Sequence, residues 1–196
     1  MALDHDQEPG DLVCEEIRCE HLIQDQWIDF RRSAYRFPDG RVFEPYYTYT
    51  RRDYAVIVAS DEEGNFLCVR QFRQGVREVT TEFPAGGIEG KDPGSDTAHA
   101  LAAARRELRE ETGFESDDWE HLLTVPAQAT LSDNYAYIFR ARNCRLVSGQ
   151  KLDDMELLSV RKVTPGEIEE MIFSGRFQQA VHILAWMLSC RKDAAR

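Results

Sequence analysis

Three glutamates in the stretch RRELREETGF, Glu107, Glu110 and Glu111, stand at i, i+3 and i+4, a spacing that projects all three carboxylates from one face of a helix. Like charges so placed repel. They persist at low cost when solvated, or when a divalent cation neutralises them, and hard Mg²⁺ takes a few carboxylates together with phosphate oxygens and water. A Glu-rich helix with interspersed arginines is, by itself, more often a solvated face laced with i,i+4 pairs. Two neighbouring features argue for more. Leu101, Ala104 and Leu108 form an apolar stripe opposite the acidic one, so the helix packs on one side and presents carboxylates on the other. Upstream, EFPAGGIEG supplies a strand end followed by a glycine-rich loop.

That loop does not fit a Walker phosphate cradle. Gly86 and Gly90 enclose three residues where four are required, and Asp92 rather than a hydroxyl follows Lys91. Cys14, Cys19, Cys68, Cys144 and Cys190 form no CxxC pair and no Cys/His ligand spacing, so they read as reduced, structural thiols. None of the five histidines has metal-ligand spacing either. A net charge of -11 repels a phosphate backbone, which argues against nucleic-acid or anionic-membrane binding and means that an anionic substrate needs local cations. No apolar run approaches the roughly 18 residues of a membrane span, and the acidic N-terminal stretch lacks the basic and apolar regions of a secretory signal. A cytoplasmic location is the expectation.

The elements that must hold the glutamates can be traced along the 196 residues. Aromatic and β-branched segments at 27–37 and 41–50, joined by Pro38-Asp39-Gly40, predict a β-hairpin, with Pro45 placing its second strand at an edge or a bulge. Strands are expected at 53–60, 66–72, 79–83, 121–125, 134–143 and 157–163. One helix should run from about Asp96 to Thr112 and end at Gly113, with Ser95 or Asp96 as its N-cap. A second should begin at Pro165, where Thr164 and Glu167 form a capping box, and a third should cover about Gln178 to Arg191. Many strands with few, late helices and no regular βαβ alternation predict an α+β layered domain. The expected organisation is an N-terminal arm over 1–25, partly flexible, a hairpin over 26–50 and a main domain over 51–193.

RELREETGF (106–114) matches the fixed positions of the Nudix box, and VRQFRQG…EFPAGGIEG (69–90) resembles the segment before the box in ADP-ribose and nucleotide-sugar pyrophosphatases of that family. TVPAQATLSDNYAYIFRARN (124–143) is similar to their post-box loop and strand. The resemblance implies a Nudix fold, a mixed β-sheet sandwiched between helices, with the N-terminal hairpin as an extension and a homodimer contact. It implies hydrolysis of a nucleoside diphosphate linked to a sugar, with Mg²⁺ as cofactor and Mn²⁺ as a substitute. Glu107, Glu110 and Glu111 then resemble metal ligands, joined by the Ala85 carbonyl, and Arg106 orients the helix and the loop. Arg70 and Arg73 become candidate substrate contacts, with Arg73 matching a phosphate-binding arginine; solvated edge-strand arginines are the plainer reading. Glu82 resembles a site glutamate, and Trp27, with Phe30 and Tyr46, comes from the hairpin that supplies base-stacking residues. KLDDMELL resembles the loop that carries the general base, with Glu156 at the matching position and Asp153, Asp154 or a box glutamate as competitors.

The chain departs from the family spacing before the helix. Arg106 lies twenty positions after Gly86, six more than the box pattern. Counting back from Arg106 puts Ala98 at the first glutamate; counting forward from Gly86 puts Asp92 there. Asp92 or Asp96 is therefore expected to brace Arg106. The substrate the resemblance favours is ADP-ribose, cleaved to AMP and ribose 5-phosphate, with GDP-mannose or another nucleotide sugar as the alternative. A Nudix-derived sensor that binds a nucleotide without turnover is the alternative of another class.

Overall fold

The computed structural model of the chain describes residues 12–89, 97–153 and 156–194, and its contacts divide into two units. Ser95, Asp92, Asp96 and Asp154 lie outside the described residues.

The first unit runs to Arg51 and takes in Pro126–Asn134. Strands β1 (Glu15–Gln24), β2 (Asp29–Arg36) and β3 (Val42–Thr50) form an antiparallel sheet in that order. The expected hairpin is β2 and β3. Pro45 lies on an edge strand and also at a bulge: Ser33 faces Tyr46 and Tyr35 faces Phe43, so Glu44 and Pro45 together oppose Ala34. Strand β1 falls where the sequence places an arm. Every residue of it is exposed, so it carries no apolar alternation to betray it. Backbone pairing with β2 holds it instead, with ion pairs from Glu15 to Arg36 (2.6 Å), Glu20 to Arg32 (2.5 Å) and Arg18 to Glu44 across its face.

The second unit comprises Arg52–Val125 and the chain from Tyr135 onward. Its strands are β4 (Tyr54–Asp61), β5 (Phe66–Arg73), β6 (Glu78–Glu82), β7 (Ala85–Gly87), β8 (Phe114–Glu115), β9 (Asp118–Pro126), β10 (Tyr135–Leu146) and β11 (Leu158–Val163). The helices are α1 (Thr97–Thr112), α2 (Pro165–Phe173) and α3 (Ala180–Ala194). The sheet has the order β11-β5-β4-β10-β8, with β6 beside β5, β7 beside β4 and β9 beside β10. It is mixed: β4 and β10 run parallel, while β11, β6 and β7 pair antiparallel with their neighbours.

Alternation along β4 and β10 sorts the core onto two faces. Ala55, Ile57, Ala59, Tyr137, Phe139 and Ala141 pack with Ala100, Ala104 and Leu108 of α1. Val56, Val58 and Ile138 pack with Ile168 of α2 and with Phe177, Ala185 and Trp186 on the α3 side. A strand buried on both faces reads as the continuous apolar run AVIVA, and each large side chain so buried contributes about 1.5–3 kcal/mol. The unit is thus the expected α+β sandwich. The Thr164 capping box forms as expected, with Pro165 in the first turn of α2. Strands β7 and β8 were not expected, being three and two residues long, too short for periodicity to register.

Candidate active site

Helix α1 ends at Gly113, whose φ of +78° closes the helix, and a Cβ there would lie 2.2 Å from the Ser148 carbonyl oxygen. The segment after β10 closes on this helix end. Val147 N–H donates to the Gly113 carbonyl (2.9 Å), Lys151 N–H to that of Glu110 (2.9 Å) and the Gln150 amide to that of Glu111 (2.7 Å). Carbonyls that a helix leaves unpaired are thereby satisfied.

The three glutamates do not share one environment. Glu107 and Glu111 are buried, 7% and 2% exposed, beneath β7 rather than on a solvated face. The Ala85 N–H donates to Glu111 Oε2 (3.0 Å). The Glu107 carboxylate lies over Gly86, where a Cβ would fall 1.9 Å from its Cδ. Arg106 binds this loop and the helix together: it donates to the Gly87 carbonyl (3.0 Å), to Glu107 (2.7 Å) and to Glu110 (2.8 Å). Among the described residues, these are the groups that brace Arg106. Glu110 is the half-exposed member of the triad.

Burial governs the charge of this site. Desolvation pushes Glu107 up to about 7; Arg106 opposes the shift, and Glu156 and Glu110 add to it. Desolvation also holds Glu111 well above the ordinary carboxylate value, against the Ala85 amide and reinforced by Glu107, Glu156 and Glu82. The influence of Glu156 on both buried carboxylates puts the loop after β10 at the site. There Glu156 is exposed, its carboxylate accepting from Asp153 N–H (3.0 Å) and its own N–H donating to the Asp153 carbonyl (2.9 Å).

Glu82 is fully buried, and four donors meet it: Gln71 (2.6 Å), Thr80 (3.4 Å), Arg73 and Gln179. Arg73 and Glu82, two separate substrate candidates in the sequence, are therefore partners of each other. Next to them the Phe83 N–H donates to Nδ1 of His182 (3.1 Å), a fully buried ring whose pKa desolvation pulls down to about 4. Arg70 is exposed on β5. Trp27 belongs to the first unit, where it is exposed in the turn between β1 and β2 and its N–H donates to the Asp25 carboxylate (2.7 Å).

Sequence reasoning missed Gln71, Thr80, Gln150, Gln179 and His182. Lone amides and hydroxyls carry no motif, and their partners are distant in the chain; Gln179 stands 97 residues from Glu82.

The donor set suits a hard divalent cation. Glu107 and Glu111 are oxygen donors one helical turn apart, and a cation between them would relieve the repulsion and desolvation that favour their protonated forms. Gly86 leaves the space the Glu107 carboxylate needs. Among the described residues no three acidic, histidine or cysteine side chains are gathered as a ligand cluster, and Glu110 is paired with Arg106.

Residues 50–186 match a family model described as the NUDIX domain. The methanol dehydrogenase activator of Bacillus methanolicus is 26% identical over 172 residues, covering 86% of this chain and 88% of that protein. The ADP-ribose pyrophosphatase of Bacillus subtilis (strain 168) is 26% identical over 147 residues, covering 74% of this chain and 75% of that protein. The crystal structure of an ADP compounds hydrolase superposes with a TM-score of 0.76 at 20% identity, over 91% of this chain and 92% of that one, a likeness of fold.

Proposed function

The chain belongs to the Nudix family and is a Nudix hydrolase, and from that premise we propose that it cleaves a nucleoside diphosphate sugar, with ADP-ribose yielding AMP and ribose 5-phosphate. The observation that carries this reading is the pair of buried carboxylates, Glu107 and Glu111, one turn apart beneath a glycine loop and within the influence of Glu156. The similarity to an ADP-ribose pyrophosphatase supports the substrate class.

Glu107 and Glu111, with Glu110 and the Ala85 carbonyl as further donors, would hold Mg²⁺, or Mn²⁺ in its place. Once bound, the cation neutralises phosphoryl oxygens and lowers the pKa of a water. Arg106 keeps the helix face and the Gly87 carbonyl in register, so the carboxylates meet the substrate already oriented. Glu156 accepts the proton of the attacking water, which forms a bond to one phosphorus as the bond from that phosphorus to the bridging oxygen breaks; the departing phosphate takes the bridging oxygen with its electron pair. Glu156 sits on a loop fixed to the end of α1, which suits a base that must come within about 3 Å of the water.

Homodimerisation through the first unit is part of the proposal. A three-stranded sheet whose β1 is exposed throughout and carries Ile17, Leu22 and Ile23 has little burial of its own, and a monomer by light scattering would remove this element. No helix among the described residues is long and apolar enough to cross a membrane, which is consistent with action in the cytoplasm. A second reading, regulation of a partner enzyme by the same hydrolase, is favoured by the activator relative. The deciding experiment is a panel of nucleoside diphosphate sugars with Mg²⁺ and identification of products. Release of AMP and ribose 5-phosphate from ADP-ribose is the expected result, and absence of turnover across the panel would overturn the assignment.

A further inference from the structure

Four successive residues at the junction of β6 and β7 are tied to different parts of the fold. Glu82 accepts from the Gln179 amide, just before α3, and the Phe83 N–H donates to Nδ1 of His182 (3.1 Å) in the first turn of α3. The Pro84 carbonyl accepts from Ile57 N–H of β4 (2.9 Å), and the Ala85 N–H donates to Glu111 Oε2 of α1 (3.0 Å). The segment has little slack. Pro84 has a fixed φ and no N–H, so residues 83–85 carry two backbone donors, one held from the α3 side and one aimed at a site carboxylate.

His182 stands among apolar neighbours. Val181, Ile183 and Leu184 pack against the cluster that holds Phe83 and Trp186, and the imidazole lies parallel to the Phe83 ring, with centroids 6.4 Å apart and planes 9° apart. An apolar ring could stack there as well. What the imidazole adds is an acceptor: Nδ1 takes the Phe83 N–H, so this nitrogen carries no proton. Phe83 and His182 are buried, 0% and 2% exposed, where solvent does not supply another partner. Without that acceptor the Phe83 N–H is orphaned, and the strand must shift to satisfy it. We propose that His182 is a positioning residue for the cation site: by holding Phe83 from the α3 side it fixes Ala85, whose N–H orients the Glu111 carboxylate and whose carbonyl is the backbone donor. This rests on the reading of Glu107, Glu111 and Ala85 as that site, and it extends the site through the sheet to the helix on its other face.

The test is an equilibrium titration of the full chain with Mn²⁺, followed by loss of the free-ion paramagnetic resonance signal, for the unaltered protein and its His182→Phe and His182→Asn variants. Melting temperatures are measured beside it in metal-free buffer. His182→Phe keeps a ring and removes the acceptor; His182→Asn offers an Oδ1 close to where Nδ1 stands and leaves part of the ring's space empty. The Mn²⁺ dissociation constant is expected to rise about tenfold in His182→Phe, as for other groups that orient a metal ligand. His182→Asn should bind Mn²⁺ nearly as the unaltered chain does, although it melts lower than His182→Phe. A packing role alone would put affinity and melting temperature in the same order. Unchanged Mn²⁺ affinity in His182→Phe, or a folded His182→Asn that binds weakly, would overturn the role of His182. An unaltered chain that binds no Mn²⁺ would overturn the cation site, and this role with it. The titration contains no substrate, so its outcome is separate from that of the nucleoside diphosphate sugar panel.

Discussion

The carboxylate of Glu107 occupies the space that a side chain on residue 86 would need: a Cβ built at Gly86 lies 1.9 Å from Glu107 Cδ and 2.1 Å from its Oε1. Gly86→Ala must therefore drive Glu107 off its position. Loss of kcat/KM by about two orders of magnitude is expected, as for a misplaced catalytic group, together with weaker Mg²⁺ dependence in a titration. Gly87→Ala meets only Arg52 Cδ at 3.9 Å and should cost far less. Equal effects at the two positions would sink the steric account.

Glu111→Gln keeps an oxygen to accept from Ala85 N–H while removing a charge that burial disfavours. The variant should lose kcat by orders of magnitude yet melt no lower than the unaltered protein in metal-free buffer at pH 8. Near-normal turnover would remove Glu111 from the metal site.

The raised Glu107 pKa, about 7 against an ordinary 4.5, means that the folded metal-free protein holds a proton which the unfolded chain releases. This contribution is fully present below about 4.5 and is lost as pH rises through about 7. Mg²⁺ should therefore raise the melting temperature more at pH 8 than at pH 5.5, and Glu107→Gln should flatten the metal-free profile in that window. His182 acts in the opposite sense. Its pKa is pulled from 6.5 to about 4, so its contribution is full above 6.5 and is lost as pH falls through about 4. A metal-free melting curve without either slope would contradict both burial assignments.

Arg73→Ala leaves Glu82 buried without its cation. Removing one partner of a buried pair costs about 3–5 kcal/mol, and partial exposure of Arg73 reduces this to about 2 kcal/mol. A lowered denaturation midpoint is expected even without substrate. Unchanged stability with impaired substrate binding would instead return Arg73 to the phosphate-contact role that its sequence position suggests.

The sequence made some parts of this molecule plain and hid others for physical reasons. AVIVA announced a buried strand because burial selects side chains directly, and the Thr164 box announced α2 because a cap is a local bond. The glutamate spacing was equally plain. The unequal burial of Glu107, Glu110 and Glu111 was not, since it depends on β7 docking over α1, and β7 is three residues of Ala and Gly. Strand β1 stayed hidden because ion pairs and backbone pairing hold it, leaving no apolar periodicity. The partnership of Arg73 with Glu82 arises from two strands pairing, which neither segment reveals alone.

The clasp between the chain after β10 and the last carbonyls of α1 has a consequence for how far the loop beyond it can travel. Lys151 is moored to Glu110, and Glu156 follows five residues later, a leash that fully extended spans roughly 17 Å. The arc open to Glu156 is thus measured from the very helix that carries Glu107 and Glu111, so lengthening or shortening the leash would retune the reach of this carboxylate while the helix itself stayed untouched.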